Sequence, residues 1–135
     1  MATRKKILVI DDDPFWHRLL RRLFVEADYD IRTAASCKDG LRLAEQHKPD
    51  CILLDFHLGD GDAVDVCVAL KNGAERPRFP VIVVSSDPDV EIMAYADCRA
   101  DYFVLKGSHT MMVLPKVVSE VLGDGWRAVS WEPGH

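Results

Sequence analysis

Short apolar runs alternate along this chain with segments in which apolar residues recur every three or four positions. The runs occupy residues 7–10, 29–34, 51–54, 81–84 and 102–105. Short runs rich in β-branched and aromatic residues are typical of strands, whereas a three-to-four spacing is typical of amphipathic helices. The pattern therefore predicts five strands and about five helices in strict alternation.

Capping and breaking residues indicate where these helices begin and end. Asp13 is a capping acid, and Pro14 suits the first turn of a helix, so the first helix is predicted to begin there. The next three helices are predicted at residues 38–46, 62–71 and 90–96. Ser36 precedes the helix at residues 38–46, and Asn72 with Gly73 ends the helix at residues 62–71.

The last helix contains a proline, which complicates its predicted start. Pro115 would forfeit a backbone hydrogen bond inside a helix and clash with the preceding turn. The regular part of this helix is therefore predicted to start near Leu114 and to stop at Gly123.

The third and fourth predicted strands are apolar at nearly every position, as expected for parallel strands covered by helices on both sides. This predicts an α/β fold, a three-layer α/β/α sandwich around a flavodoxin-like, doubly wound, five-stranded parallel sheet of order 2-1-3-4-5. In this order the first and third strands are neighbours, and ligands bind beyond the carboxyl ends of the strands at the point where the order reverses.

Acidic residues follow both of these neighbouring strands. Asp11, Asp12 and Asp13 end the first apolar run, and Asp55 ends the third. Crowded carboxylates raise one another's pKa unless a cation lies between them. Mg²⁺ prefers oxygen ligands and is usually held by one or two carboxylates together with waters and phosphate oxygens. The acids therefore predict a magnesium site that handles a phosphoryl group.

The fourth and fifth strands end in Ser85 and Lys106, at the same predicted sheet edge. Phosphoryl transfer needs a nucleophile, charge neutralisation, and donors for the phosphate oxygens. Asp55 is the candidate nucleophile, Asp12 assisted by Asp11 is the candidate Mg²⁺ ligand, and Ser85 and Lys106 are candidate donors. Any one of these residues could be a cap, a turn former or an exposed charge, but their joint placement favours a site.

Length and charge narrow the functional classes. The chain has 135 residues, which fits one domain at residues 1–122 followed by a tail or truncated linker at residues 123–135. A formal charge of -5 argues against direct nucleic-acid binding, and no apolar run is long enough to cross a membrane. Four cysteines without zinc spacing predict buried thiols in a reducing cytoplasm.

With these motifs in place, the chain resembles the receiver domain of two-component response regulators over about residues 6–122. The resemblance rests on four segments, Ile-Leu-Val-Ile-Asp-Asp-Asp-Pro, Pro-Asp-Cys-Ile-Leu-Leu-Asp, Pro-Val-Ile-Val-Val-Ser-Ser and Ala-Asp-Tyr-Phe-Val-Leu-Lys. It implies a cytoplasmic signalling switch that is either a single-domain regulator or an N-terminal piece of one.

The resemblance also implies specific roles. Asp55 would accept a phosphoryl group from a phosphohistidine of a sensor histidine kinase or histidine phosphotransfer protein. Mg²⁺ would bind Asp12, Asp55 and the backbone carbonyl of His57. Ser85 and Phe103 would form the switch that reshapes the face made by the fourth helix, fifth strand and fifth helix.

Some positions depart from the family pattern. Gly107 follows Lys106 where the family usually has a proline joined by a cis bond, and a non-proline cis bond costs roughly 3 kcal/mol. A trans bond and a looser loop are therefore expected. Gly59 and Ala63 stand where proline and glycine are common, and Phe103 lacks the frequent tyrosine hydroxyl.

Two other functions fit parts of the sequence. An aspartyl phosphatase resembling the haloacid dehalogenases would use Asp11, Asp13, Ser85 and Lys106. This interpretation leaves Asp55 unexplained, and the sequence has no acidic pair after Lys106 to bind the metal. A receiver-like docking module without regulated phosphorylation is the other alternative. The switch interpretation is preferred, so the chain is not expected to be an enzyme.

Overall fold

Five parallel strands form the central sheet of the computed structural model, which describes residues 4–123. They are β1 Lys6–Ile10, β2 Asp30–Ala34, β3 Cys51–Leu54, β4 Val81–Ser85 and β5 Tyr102–Leu105. Their order in the sheet is β2-β1-β3-β4-β5, with every neighbouring pair parallel. The predicted fold is therefore confirmed, and β1 and β3 are neighbours.

Helices connect these strands in alternation. They are α1 Pro14–Glu26, α2 Cys37–His47, α3 Ala63–Lys71, α4 Glu91–Ala96 and α5 Thr110–Leu122. A 3₁₀ turn, Pro88–Val90, precedes α4, and a short antiparallel hairpin joins His57–Leu58 to Gly61–Asp62 between β3 and α3. The first four helices begin within a residue or so of their predicted starts.

Helix α5 corrects one prediction, because it begins at Thr110 and carries Pro115 inside it. The first turn is fixed by side-chain contacts to the preceding loop that the apolar spacing did not indicate. The Thr110 hydroxyl donates to the Leu105 carbonyl at 2.9 Å and accepts from the Gly107 N–H at 2.7 Å. With Leu114 fully buried one turn later, the packing of this end of the helix outweighs the backbone bond that Pro115 loses.

Two apolar cores lie on opposite faces of the sheet. Alternate residues of β1 point to different sides, so Ile7 and Val9 pack with α1 and α5, whereas Leu8 and Ile10 pack with α2, α3 and α4. All residues of β3 are buried. This double covering explains the continuous apolar runs and leaves the carboxyl ends of the strands as one open edge.

Helix α2 approaches β1 very closely at Gly40. A Cβ atom built there would lie 2.5 Å from Ile10 Cδ1 and 2.9 Å from Ile10 Cγ1. Glycine lets the helix backbone rest against the strand whose next residue is Asp11. The close approach therefore helps to fix the end of β1.

Three further predictions concern burial and chain organisation. Cys37, Cys51, Cys67 and Cys98 are buried free thiols, as predicted. Among residues 4–123 no helix has the length and apolar character needed to cross a membrane. The predicted tail, residues 123–135, lies outside the described residues except for Gly123, which caps the end of α5 in the left-handed conformation.

Candidate functional site

The carboxylates that follow β1 and β3 lie together at the open sheet edge. The N–H of Asp55 donates to the Ile10 carbonyl at 2.8 Å, which extends the β1–β3 ladder to Asp55. Oxygen atoms from Asp11, Asp12 and Asp55 all lie within 4.8 Å of one another. Asp11 is buried and Asp12 is exposed, so the cluster opens to solvent on one side.

Lys106 reaches into this cluster from the end of β5. Its Nζ lies 2.6 Å from Asp11 Oδ2 and 3.6 Å from Asp55 Oδ1. The side chains of Lys106, Asp11 and Asp55 are only 9%, 4% and 12% exposed. The ammonium and both carboxylates therefore interact with little screening by water.

The loop after Lys106 is held without a proline. Every peptide bond among residues 4–123 is trans, including the bond to Gly107. The Lys106 N–H donates to the Ser85 carbonyl at 2.8 Å, and the Gly107 N–H donates to the Thr110 hydroxyl. The trans bond is as expected, but hydrogen bonds on both sides of it secure a loop that was expected to be looser.

The electrostatics of the cluster favour an added cation. Burial and the neighbouring Asp11 carboxylate raise the pKa of Asp55 to about 6, although Lys106 and the Phe56 N–H oppose the rise. One ammonium faces three carboxylates here, so negative charge remains in excess. Closely spaced carboxylate oxygens are ligands that Mg²⁺ accepts. The residues present therefore fit a magnesium ion, with Asp11, Asp12 and Asp55 as the side-chain donors.

Ser85, at the end of β4, and His57, in the hairpin after β3, lie in the two segments that follow the neighbouring strands. Ser85 is buried at the end of β4, and its hydroxyl accepts a hydrogen bond from the Asp87 N–H at 3.1 Å. His57 Nε2 lies 2.9 Å from Asp87 Oδ2, which joins the loop after Asp55 to the loop after Ser85. This bond, together with the Asp89 N–H, holds the pKa of Asp87 below its usual range. The backbone carbonyl of His57 as a metal ligand stays a prediction.

Phe103 lies apart from the acids, on the side of β5 that faces α4. Its N–H donates to the Tyr95 hydroxyl at 2.9 Å, and its half-buried ring packs against the core beneath α4. Phe103 and Tyr95 also line a cavity of about 410 Å³ between α4, β5 and α5. The structure thus brings Asp11, Asp12, Asp55 and Lys106 together and places Phe103 on the neighbouring face.

Two residues of α1 join the site although the sequence analysis did not assign them to it. His17 is half-buried, and its Nε2 contacts the Asp11 carbonyl. Trp16 lies in the first helical turn, and the Lys106 Nζ is 5.1 Å from the centre of its ring. The available signal was position, because the first turn after Asp13 must lie at the same sheet edge as the acids.

Comparisons with known proteins agree with this geometry. A model of the response regulator receiver domain matches residues 7–117. Alkaline phosphatase synthesis transcriptional regulatory protein PhoP of Bacillus subtilis is 32% identical over 103 residues, which cover 76% of this chain and 42% of that protein. Polar-differentiation response regulator DivK of Brucella ovis is 30% identical over 99 residues, covering 71% of this chain and 80% of that protein.

Solved structures share the fold. Response regulator protein TrrA of Thermotoga maritima, in complex with Mg²⁺ and BeF, aligns with a TM-score of 0.77 at 22% identity, covering 87% of this chain and 98% of that one. Matched transcriptional regulators such as PhoP are much longer, and this chain spans less than half of their length. Because the family model includes both acid-bearing strand ends and Lys106, the chain belongs to the response regulator receiver domain family.

Proposed function

We propose that this protein is a phosphorylation-dependent signalling switch in which Asp55 accepts a phosphoryl group. Phosphorylation on an aspartate is the general mechanism of receiver domains, and histidine kinases or phosphotransfer proteins are their partners. The observation that carries the proposal is the position of Asp55, which shares an edge with Asp11 and Asp12 and lies 3.6 Å from the Lys106 ammonium.

In the proposed reaction an Asp55 carboxylate oxygen attacks the phosphorus of a phosphohistidine. The new oxygen–phosphorus bond forms as the phosphorus–nitrogen bond breaks, and the leaving imidazole keeps the electron pair. Lys106 offsets charge on the transferred oxygens, and Ser85 can donate its hydroxyl proton to one of them. Bound Mg²⁺ would supply further positive charge at Asp11, Asp12 and Asp55.

The proposed output surface is the face formed by α4, β5 and α5. It holds the cavity of about 410 Å³ that Phe103 lines, together with exposed apolar side chains at Ile92, Leu105 and Met112. Exposed apolar patches of this kind are typical of protein-binding sites. A phosphoryl group on Asp55 adds negative charge beside Ser85, and a shift of Ser85 and Phe103 would alter this face.

The geometry supports a switch over a turnover enzyme. A phosphatase would use Asp11 and Asp13, yet Asp11 receives the Lys106 ammonium and the Asp13 N–H, and Asp13 accepts the Phe15 N–H as the cap of α1. Asp13 is therefore engaged as a helix cap, and the phosphatase assignment gives Asp55 no role. We therefore propose that the protein labels itself, is not an enzyme in the ordinary sense, and acts in the cytoplasm without binding nucleic acid or membrane directly through this domain.

Incubation with a small phosphodonor and Mg²⁺, followed by intact-mass measurement, tests this function. The wild-type protein should gain one acid-labile phosphoryl group, and Asp55→Asn should gain none. Asp12→Ala should remove the Mg²⁺ dependence, and Lys106→Ala should slow labelling while circular dichroism stays unchanged. Repeated hydrolysis of a chromogenic phosphate ester would favour the phosphatase instead.

Beryllofluoride distinguishes the switch from a docking module. With Mg²⁺ it mimics a phosphoryl group, so the amide signals of Ser85 and Phe103 should move in the wild-type protein and stay fixed in Asp55→Asn. A wild-type protein that takes no label and shows no movement of these signals would support constitutive docking and contradict the proposal.

A further inference from the structure

We propose that Trp16 is a positioning residue that holds the Lys106 ammonium beside Asp55. The inference rests on the proposed phosphoryl transfer and adds a residue to that site. The Lys106 Nζ lies 5.1 Å from the centre of the Trp16 ring. A cation within about 6 Å of an aromatic face is attracted by the ring quadrupole, and tryptophan attracts it most strongly.

The surroundings of Lys106 strengthen this contact. Only 9% of the Lys106 side chain is exposed, so water competes little for the ammonium. Cation–π attraction increases when the cation is desolvated. The contact differs in this respect from an exposed lysine that lies against a surface ring by chance.

Trp16 is itself well placed to act as a fixed support. It lies in the first turn of α1, where its backbone N–H donates to the Asp13 carbonyl at 3.1 Å. Its ring packs against the core shared by α1, β5 and α5. The Phe15 ring lies edge-on to the Trp16 ring, with the two ring centres 6.0 Å apart. A half-buried ring held on these sides has little freedom to move away from Lys106.

The partners of Lys106 explain why a third support is useful. The ammonium is 2.6 Å from Asp11 and 3.6 Å from Asp55, so its shorter contact is to an acid that is also a candidate metal ligand. When Asp11 shares its charge with a cation, its hold on Lys106 weakens. The Trp16 ring is uncharged and keeps its attraction, and Gly107 offers no side chain to restrict the lysine.

The closing experiment measures the rate of labelling by a small phosphodonor for a graded series at position 16. Trp16→Leu should slow labelling about tenfold, and Trp16→Phe should lie between leucine and wild type, following ring attraction for a cation. Val25→Ala is the control, since it removes an exposed apolar side chain at the opposite end of the same helix, away from Lys106. It should label at nearly the wild-type rate.

A double-mutant cycle separates positioning from general structural damage. In a Lys106→Met background, Trp16→Leu should cause no further loss, because the group it positions has gone. The ring-current shift of the Lys106 side-chain CH₂ protons should also disappear in Trp16→Leu and persist in Trp16→Phe, which supplies a readout even if the leucine variant folds poorly.

The outcomes keep the two proposals distinct. A wild-type protein that takes no label refutes the proposed function. If the wild type is labelled, two results would refute the role of Trp16 alone. Trp16→Leu could label as fast as wild type, or it could slow labelling as much in the Lys106→Met background as in the wild-type background. The role of Trp16 would also be refuted if the chemical shifts of the Lys106 CH₂ protons were the same in wild type, Trp16→Phe and Trp16→Leu.

Discussion

Replacing Asp55 with asparagine should make the metal-free protein more stable at neutral pH. In the folded chain, burial and the Asp11 carboxylate raise the pKa of Asp55 to about 6, against 3.8 for an ordinary aspartate. The ionised group therefore opposes folding, and asparagine removes its charge while keeping an oxygen that can accept the Phe56 N–H. The proposed phosphorylation would thus require a carboxylate, Asp55, that lowers the free energy of unfolding.

The size and pH range of the effect follow from this pKa. At about 1.4 kcal/mol per pKa unit, the rise from 3.8 to about 6 corresponds to about 3 kcal/mol. Between those two values the folded state binds more protons at Asp55 than the unfolded state does, so stability falls as pH rises through that window. Asp55→Asn should lack this fall, and the two proteins should be about equally stable below pH 4.

Urea unfolding followed by circular dichroism, in EDTA and at several pH values, measures this difference. Added Mg²⁺ should stabilise the wild type more than Asp55→Asn, because the ion binds the folded cluster. Asp87→Asn is the matched control, since the pKa of Asp87 is lowered by its bond to His57 and neutralising it should not stabilise. The reasoning would be refuted if Asp55→Asn were no more stable than wild type at neutral pH. It would also be refuted if Asp55→Asn exceeded wild type in stability by the same amount at pH 4 as at neutral pH.

Two further predictions concern packing and the loops beside the site. Gly40→Ala should lower the free energy of unfolding by about 1–3 kcal/mol through its clash with the β1 core, whereas Gly59→Ala, with open space around its added Cβ, should change it little in the same urea assay. His57→Asn should shorten the lifetime of the phosphorylated protein, because loss of the bond to Asp87 opens the two loops to water. Intact-mass measurement over time follows this lifetime. His109→Asn changes an exposed histidine just before α5 and should leave the lifetime unchanged.

The alternation of strands and helices was predictable because each element carries its own local signal. Apolar runs such as β3 are buried on both faces, and residues such as Asp13 and Asn72 cap helices as their chemistry favours. The start of α5 was predicted wrongly at Leu114. Its first turn depends on the bonds of the Thr110 hydroxyl to the backbone of the preceding loop, which leave no trace in the spacing of apolar residues.

The acid cluster was predictable for a different reason. In a parallel sheet of known order, residues that end neighbouring strands must meet, which places Asp11 beside Asp55 and brings Lys106 to the same edge. Trp16 and His17 were missed because their contacts depend on how α1 packs over that edge. Side-chain direction in a first helical turn depends on this packing, and apolar spacing alone does not give it.

The most direct test of the account identifies the residue that carries the phosphoryl group. The protein is labelled with a small phosphodonor and Mg²⁺, the acyl phosphate is trapped by borohydride reduction, and the peptides are sequenced by tandem mass spectrometry. The account predicts that the reduced residue is at position 55, between Leu54 and Phe56. Reduction at Asp11, Asp12 or Asp13 instead, or labelling that survives Asp55→Asn, would contradict it.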